Sequence, residues 1–300
     1  MAVSSGTFRN GAGERRYVLA VPDACPPPGA RSLVVYLHGC TQDADDAARG
    51  TRLTEVASAH GWLVLYPEQA QESNVRKCWN WFDPDHQRRE AGEPSIIADL
   101  TRQVVVDQGV NPARVFLAGV SAGAAMASLV AAAYPEVYAA LALHSGLVHS
   151  AAADVMEALG VMQRGVPSPE PHALAAHEAM GARARVIPTL VLHGEADASV
   201  APINGAQAAR QWFLTNALAV GQSMDTTSGA TDLEGDVEGG YHVRRSRYLT
   251  RDGRLLSCLV MVQELGHAWS GGSPDGSYTD PRGPDATSIL LDFFERVVDR

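Results

Sequence analysis

Three side chains in this sequence have the types and the chain order that acyl transfer requires: Ser121, Asp197 and His267. A serine hydroxyl is a poor nucleophile near neutral pH. It needs a base within hydrogen-bond reach, and that base needs an orienting acid. Ser121 stands in Gly119-Val120-Ser121-Ala122-Gly123, Asp197 in the turn HGEADASV, and His267 in ELGHAWSGG. Other acids fit less well. Asp99 and Asp107 precede the serine on an expected helix, and Asp252 sits at the tip of an expected hairpin. Glu195 is the one rival acid. His38, His144 and His193 come before Asp197, and His144 and His193 are expected to pack beneath the site with their ring nitrogens bonded to backbone. His60, His86, His149, His172, His177 and His242 read as surface residues. A tetrahedral oxyanion needs two backbone donors. The expected pair is the amide of Ala122, next to the nucleophile, and that of Cys40 in His38-Gly39-Cys40-Thr41, with Thr41 as alternative.

The elements around these residues must aim them. RVFLA before the serine reads as a buried strand and AAMASLVAAAY after it as a helix. A serine on such a turn between two glycines is the nucleophile elbow of an α/β-hydrolase. The turn is so tight that side chains at 119 and 123 would strike backbone. Short apolar runs alternate with amphipathic segments along the chain, the βαβ signature. Strands are expected at 15–21, 32–38, 61–67, 114–120, 139–145, 187–194 and 255–265, and helices around 44–60, 95–108, 122–133, 172–182, 203–219 and 284–298. Near-continuous apolar strands predict a mostly parallel sheet with helices on both faces. YHVRRSRYLT at 241–250 alternates and is expected to pair with 255–263 across Arg251-Asp252-Gly253-Arg254. Residues 67–94 read as a long surface loop and 221–240 as irregular. One domain over 1–300 is the simplest organisation.

Composition removes several function classes. The 300 residues are 46% hydrophobic and 19% charged, a globular balance with enough apolar residues for a large core. A net charge of -10 with no basic surface argues against nucleic acid. No stretch is long enough to span a membrane. The first residues hold no apolar run of signal-peptide length, so the expectation is a cytoplasmic protein or one whose leader was removed. Cys258 in LLSCLVMV is expected to be a buried apolar filler. Whether Cys40 and Cys78 are joined stays open; a bond would favour an oxidising compartment.

Several motifs together resemble one family. LHGCTQ after a strand, CWNWF at 78–82, GVSAGAAM at 119–126, HGEAD at 193–197, GHAWSGG at 266–272 and GPDAT at 283–287 are similar to the polyhydroxybutyrate depolymerase family of esterases, which also has feruloyl and acetylxylan esterase-like members. The resemblance runs from about residue 15 to 298. It implies an α/β-hydrolase fold, a Ser121-Asp197-His267 triad and no cofactor. Secreted polymer-degrading members carry a leader, a linker and a polymer-binding domain; none is recognised in this sequence, which favours shorter or soluble esters.

The expectation is therefore a serine esterase acting on poly- or oligo-(3-hydroxybutyrate)-type polyester, with a feruloyl, acetylxylan or general carboxylesterase as the alternative. A non-catalytic relative that binds a ligand is the reading from another class, and labelling of Ser121 by a fluorophosphonate separates the two. Trp79, Trp81 and Trp269 are candidates for a substrate-binding wall, because a tryptophan in a loop either packs or binds. Trp62 and Trp212 read as core. The acid run Asp232, Glu234, Asp236 and Glu238 lacks the glycine and glutamate spacing of a calcium loop and reads as a solvated, mobile loop. His177-Glu178 has no second histidine four residues on, so a zinc-protease motif fails. No metal is expected.

Overall fold

A computed structural model of the chain describes residues 1–224 and 231–298. The N-terminal half runs β1 (Ala2–Asn10), β2 (Gly13–Val21), β3 (Arg31–Leu37), α1 (Ala44–Thr51), α2 (Leu53–Ala59), β4 (Leu63–Pro67), α3 (Gly92–Gln108), β5 (Val110–Val120) and α4 (Ala122–Ala133). The second half runs β6 (Ala140–His144), α5 (Val155–Arg164), α6 (Glu170–Met180), β7 (Thr189–Gly194), α7 (Ile203–Ala219), β8 (Thr231–Glu238), β9 (Tyr241–Leu249) and β10 (Leu255–Val262). The short strands β11 (Trp269–Ser270) and β12 (Thr279–Asp280) and helix α8 (Ala286–Val298) close it.

The main sheet has ten strands in the order β1-β2-β4-β3-β5-β6-β7-β10-β9-β8. Its centre, from β4 to β10, is parallel, and the outer strands at both edges pair antiparallel. Side chains alternate across the sheet. Leu33, Val35 and Leu37 of β3 enter one core layer with α4, while Val34 and Tyr36 enter the other with α8. Helix α8 buries Leu290, Leu291, Phe293 and Phe294, a stripe of helical period, and Phe294 stacks on Phe116 of β5 at 4.6 Å. Helix α4 is buried on every side, and its alanines let it lie flat between the sheet and its neighbouring helices.

The expected strands and most of the helices are present, and the β9–β10 hairpin turns where expected, with the Thr250 amide donating to the Arg254 carbonyl at 2.8 Å. Four expectations change. The helix expected over 44–60 is two helices, because Arg52 adopts a left-handed backbone (φ 54°) and sends its guanidinium to Asp285 at 2.7 Å. Residues 231–238 are not a mobile loop: they form edge strand β8 against β9, and Glu238 pairs with Arg245 at 2.6 Å. The stretch 225–230 of that expected loop lies outside the described residues. His149 is not on the surface but 2% exposed. Cys258 is half-buried rather than buried. Besides the short strands β11 and β12, a strand and a helix were not foreseen. β1 is polar and mostly exposed, so it carries no hydrophobic alternation. Helix α5 buries only Ala158.

Candidate active site

The elbow follows from what surrounds two glycines. A Cβ on Gly123 would lie 2.1 Å from the Leu37 carbonyl oxygen, and one on Gly119 would lie 2.5 Å from Gly123 backbone. With no side chains there, α4 presses against the end of β3. Ser121 between them takes φ 56° and ψ -121°, a strained conformation that the tight turn holds. Its hydroxyl faces the cleft at the C-terminal ends of the parallel strands.

Ser121, His267 and Asp197 meet there, although 146 and 70 residues separate the pairs in sequence. Ser121 Oγ lies 3.0 Å from His267 Nε2, and His267 Nδ1 lies 2.7 Å from Asp197 Oδ2. With Nδ1 protonated and donating to the carboxylate, Nε2 is left to accept the serine proton. The other carboxylate oxygen of Asp197 accepts from the amides of Ser199 (2.9 Å) and Val200 (2.8 Å). Burial pushes this carboxyl up, but the hydrogen bond and charge of His267 and the Val200 amide outweigh it and hold it below the usual carboxylate range. The rival acid Glu195 points elsewhere and pairs with Arg244.

The expected oxyanion donors border the same cleft, which is lined by Cys40, Ser121 and Ala122 among others. Ala122 opens α4, where the first amides have no intrahelical acceptor. In the neighbouring loop Gly39 donates to Gln42 Oε1 at 3.0 Å and Thr41 to the Arg76 carbonyl at 2.7 Å. The Cys40 amide between them is uncommitted among the described residues, and the bond made by Thr41 removes that residue as alternative donor. Cys40 and Cys78 form a disulfide with a Cα–Cα distance of 4.2 Å. It ties the 67–94 segment to the loop of the expected oxyanion donor across a sequence separation of 38 residues. A Cys78→Ser variant, or reduction of the wild type, is expected to lower unfolding free energy by about 2 to 4 kcal/mol, because the open chain regains loop entropy. Denaturant titration with and without reductant checks this; equal midpoints would exclude a stabilising bond.

The three tryptophans separate. Trp79 is 0% exposed, donates to the His38 carbonyl at 3.1 Å and has no face on the cleft. Trp269 is buried too, stacked on His144 at 4.8 Å and bonded to Thr287 Oγ1 at 3.1 Å. Both fill core, so the expected substrate wall is not built from them. Trp81 alone reaches the cleft. The rest of the wall was missed from sequence: Val75, Leu147, Tyr278, and Val155, Leu159 and Met162 of α5. The spacing 155, 159, 162 is one helical stripe and was the available signal. The cleft holds about 430 Å³, a volume suited to a small ligand or short chain.

The 67–94 loop is not a free surface segment. Its anchor is Glu93 in the first turn of α3, 0% exposed. Its carboxylate accepts from Arg15 Nη2 (3.0 Å), the Asn80 amide (2.8 Å), Asn80 Nδ2 (2.9 Å) and Gln69 Nε2.

Several histidines lie buried around the relay. His38 accepts the Gln69 amide at 3.0 Å, and His193 lies against the Val200 carbonyl at 2.9 Å. Burial, helped by His193 and His267, pushes His144 down to about 3. Burial pushes His149 down to about 4. Each stays neutral in the folded chain where its unfolded counterpart, at about 6.5, binds a proton. The unfolded state then takes up protons that the folded state does not. Stability is therefore expected to fall as pH drops from about 6.5 towards the folded values. Thermal unfolding between about pH 8 and pH 4 tests it; a flat melting temperature over that span contradicts neutral burial.

Comparison with known proteins shows the family. The family model described as esterase PHB depolymerase matches residues 17–234. The chain belongs to that family. A poly(3-hydroxyalkanoate) depolymerase C of Paucimonas lemoignei is 31% identical over 243 residues, covering 80% of this chain and 55% of the relative. A feruloyl esterase B of Neurospora crassa is 34% identical over 131 residues, 43% of each chain. The chain thus spans about half the length of these curated relatives. Among solved structures, an acetyl xylan esterase from Aspergillus awamori superposes with a TM-score of 0.76 at 18% identity, covering 98% of this chain and 99% of that one. The likeness establishes the α/β-hydrolase fold. No helix among the described residues of this family member is long and apolar enough to cross a membrane.

Proposed function

We propose that this chain is a serine esterase whose catalytic residues are Ser121, His267 and Asp197. The observation that carries the reading is the continuous hydrogen-bond relay Asp197–His267–Ser121 opening into a cleft. His267 Nε2 takes the proton of Ser121 as Oγ attacks the ester carbonyl. The amides of Ala122 and Cys40 hold the oxyanion. The intermediate collapses, and His267 gives its proton to the departing alcohol. Water then enters, loses a proton to the same nitrogen and attacks the acyl-enzyme. Collapse breaks the acyl–Oγ bond, and the proton returns to serine. Asp197 holds the imidazole in the tautomer this cycle needs and stabilises the imidazolium. No step calls on a cofactor.

The substrate we favour is a hydroxyalkanoate ester, polymer or oligomer. Support comes from the polyester-cleaving relative and from the apolar wall of Val75, Trp81, Leu147, Leu159 and Met162, which suits short aliphatic side groups. A feruloyl or acetylxylan ester is the second reading, favoured by the names of the other similar proteins. The Cys40–Cys78 bond supports an oxidising compartment. The test is product release from poly(3-hydroxybutyrate), its soluble oligomers and methyl ferulate, assayed side by side with the serine variant as blank. Hydroxybutyrate products carry the first reading; ferulate release alone moves the chain to the second.

A further inference from the structure

The cleft has an unusual charge pattern for this chain. The protein carries a net charge of -10. Yet among the described residues that line the cleft there is no aspartate or glutamate, and one permanently charged residue: Arg76. Arg76 is exposed and takes part in no ion pair among the described residues. Its neighbour Lys77 is already turned to Asp43, at 4.0 Å. An arginine with no protein carboxylate beside it keeps its planar fork of donors for another anion.

Its backbone is held in place. The Arg76 amide donates to Asn74 Oδ1 at 3.0 Å, and its carbonyl accepts from the Thr41 amide at 2.7 Å. Two residues on, Cys78 is bonded covalently to Cys40. The α-carbon from which the guanidinium springs is therefore fixed to the loop that carries the proposed oxyanion donor. Ordering this loop costs nothing at the moment of binding.

We infer that Arg76 binds the free carboxylate of a short hydroxyalkanoate oligoester, so that the cleft prefers chains ending in an acid within its reach. The inference rests on the esterase reading above. In such an oligomer the free carboxylate belongs to the terminal hydroxy acid, which leaves as the alcohol when the last ester bond is cut. A charge-assisted pair there orients the leaving group against His267 and adds affinity that an acetyl or a neutral aryl ester does not gain. It also offsets the repulsion that a chain of this net charge exerts on an anion.

The test uses the linear hydroxybutyrate dimer, the same dimer with its carboxylate converted to a carboxamide, and para-nitrophenyl butyrate. Wild type is expected to cleave the acid dimer with a kcat/KM about tenfold above that of the amide, mainly through KM, and the ratio should shrink as salt rises. Arg76→Gln should collapse the ratio towards one, and Arg76→Lys should restore part of it. A ratio near one in wild type, or a preference that survives Arg76→Gln, overturns the inference. Turnover of para-nitrophenyl butyrate with neither dimer cleaved also overturns it while leaving the esterase reading standing. Failure on all three esters overturns the esterase reading itself, and the inference with it.

Discussion

Replacing Ser121 with alanine is expected to lower kcat on any soluble ester by about five to six orders of magnitude, to the level left by the oxyanion donors and binding alone. The fold should not change. Among the described residues the serine hydroxyl bonds to His267 and to no core group, and the turn is set by Gly119, Gly123 and the approach of α4 to β3. Circular dichroism and melting temperature should match wild type. Asp197→Asn should cost about four orders of magnitude, because the amide can present its N–H to His267 Nδ1 and favour the wrong tautomer. A serine variant that keeps even a hundredth of the activity would assign the chemistry to another residue.

The second large effect is on stability. Glu93→Ala removes a buried carboxylate that accepts from Arg15, Gln69 and Asn80. Arg15, itself 6% exposed, is then left as an uncompensated buried cation. Breaking such a pair costs about 3 to 5 kcal/mol. For a chain of this size that is a fall in melting temperature of about 10 °C. The double variant Glu93→Ala with Arg15→Met should recover part of the loss, since removing both charges costs less than stranding one. Unfolding in urea checks both. A single variant within about 1 kcal/mol of wild type would mean that water reaches Arg15 and that the segment is held by its disulfide instead. Activity should fall alongside stability, because Val75, Arg76 and Trp81 sit on the loop that Glu93 anchors.

The reading of residues from sequence worked where local rules are strict. Only glycine fits at 119 and 123, so the elbow announced itself, and β3, β5, β6 and β7 are apolar enough to be read as central strands. Acid and base candidates followed from chain order, and the structure brings Asp197 and His267 to Ser121. The tryptophans failed because burial is a tertiary property. Trp79 and Trp81 are two residues apart in one segment, yet only Trp81 meets the cleft. β8 was hidden because its alternation sets acids at 232, 234, 236 and 238 against only Leu233, Gly235 and Val237, too few apolar residues to mark a core face; an edge strand needs only one partner and tolerates this. The stripe Val155, Leu159 and Met162 of α5 has helical spacing, but spacing alone does not tell that it lines the cleft.

The close approach of α4 to β3 has a consequence for how this architecture changes over evolution. Because carbonyl oxygens of Leu37 and His38 occupy the space a side chain at 123 would need, the proposed nucleophile and the loop of the proposed oxyanion donor share one rigid contact. Neither can be retuned without displacing the other. Much of the cleft wall comes instead from α5, from the 74–82 segment and from Tyr278, none of which is a strand of the main sheet. Selectivity can therefore diverge by exchange of those three segments while the triad atoms stay fixed.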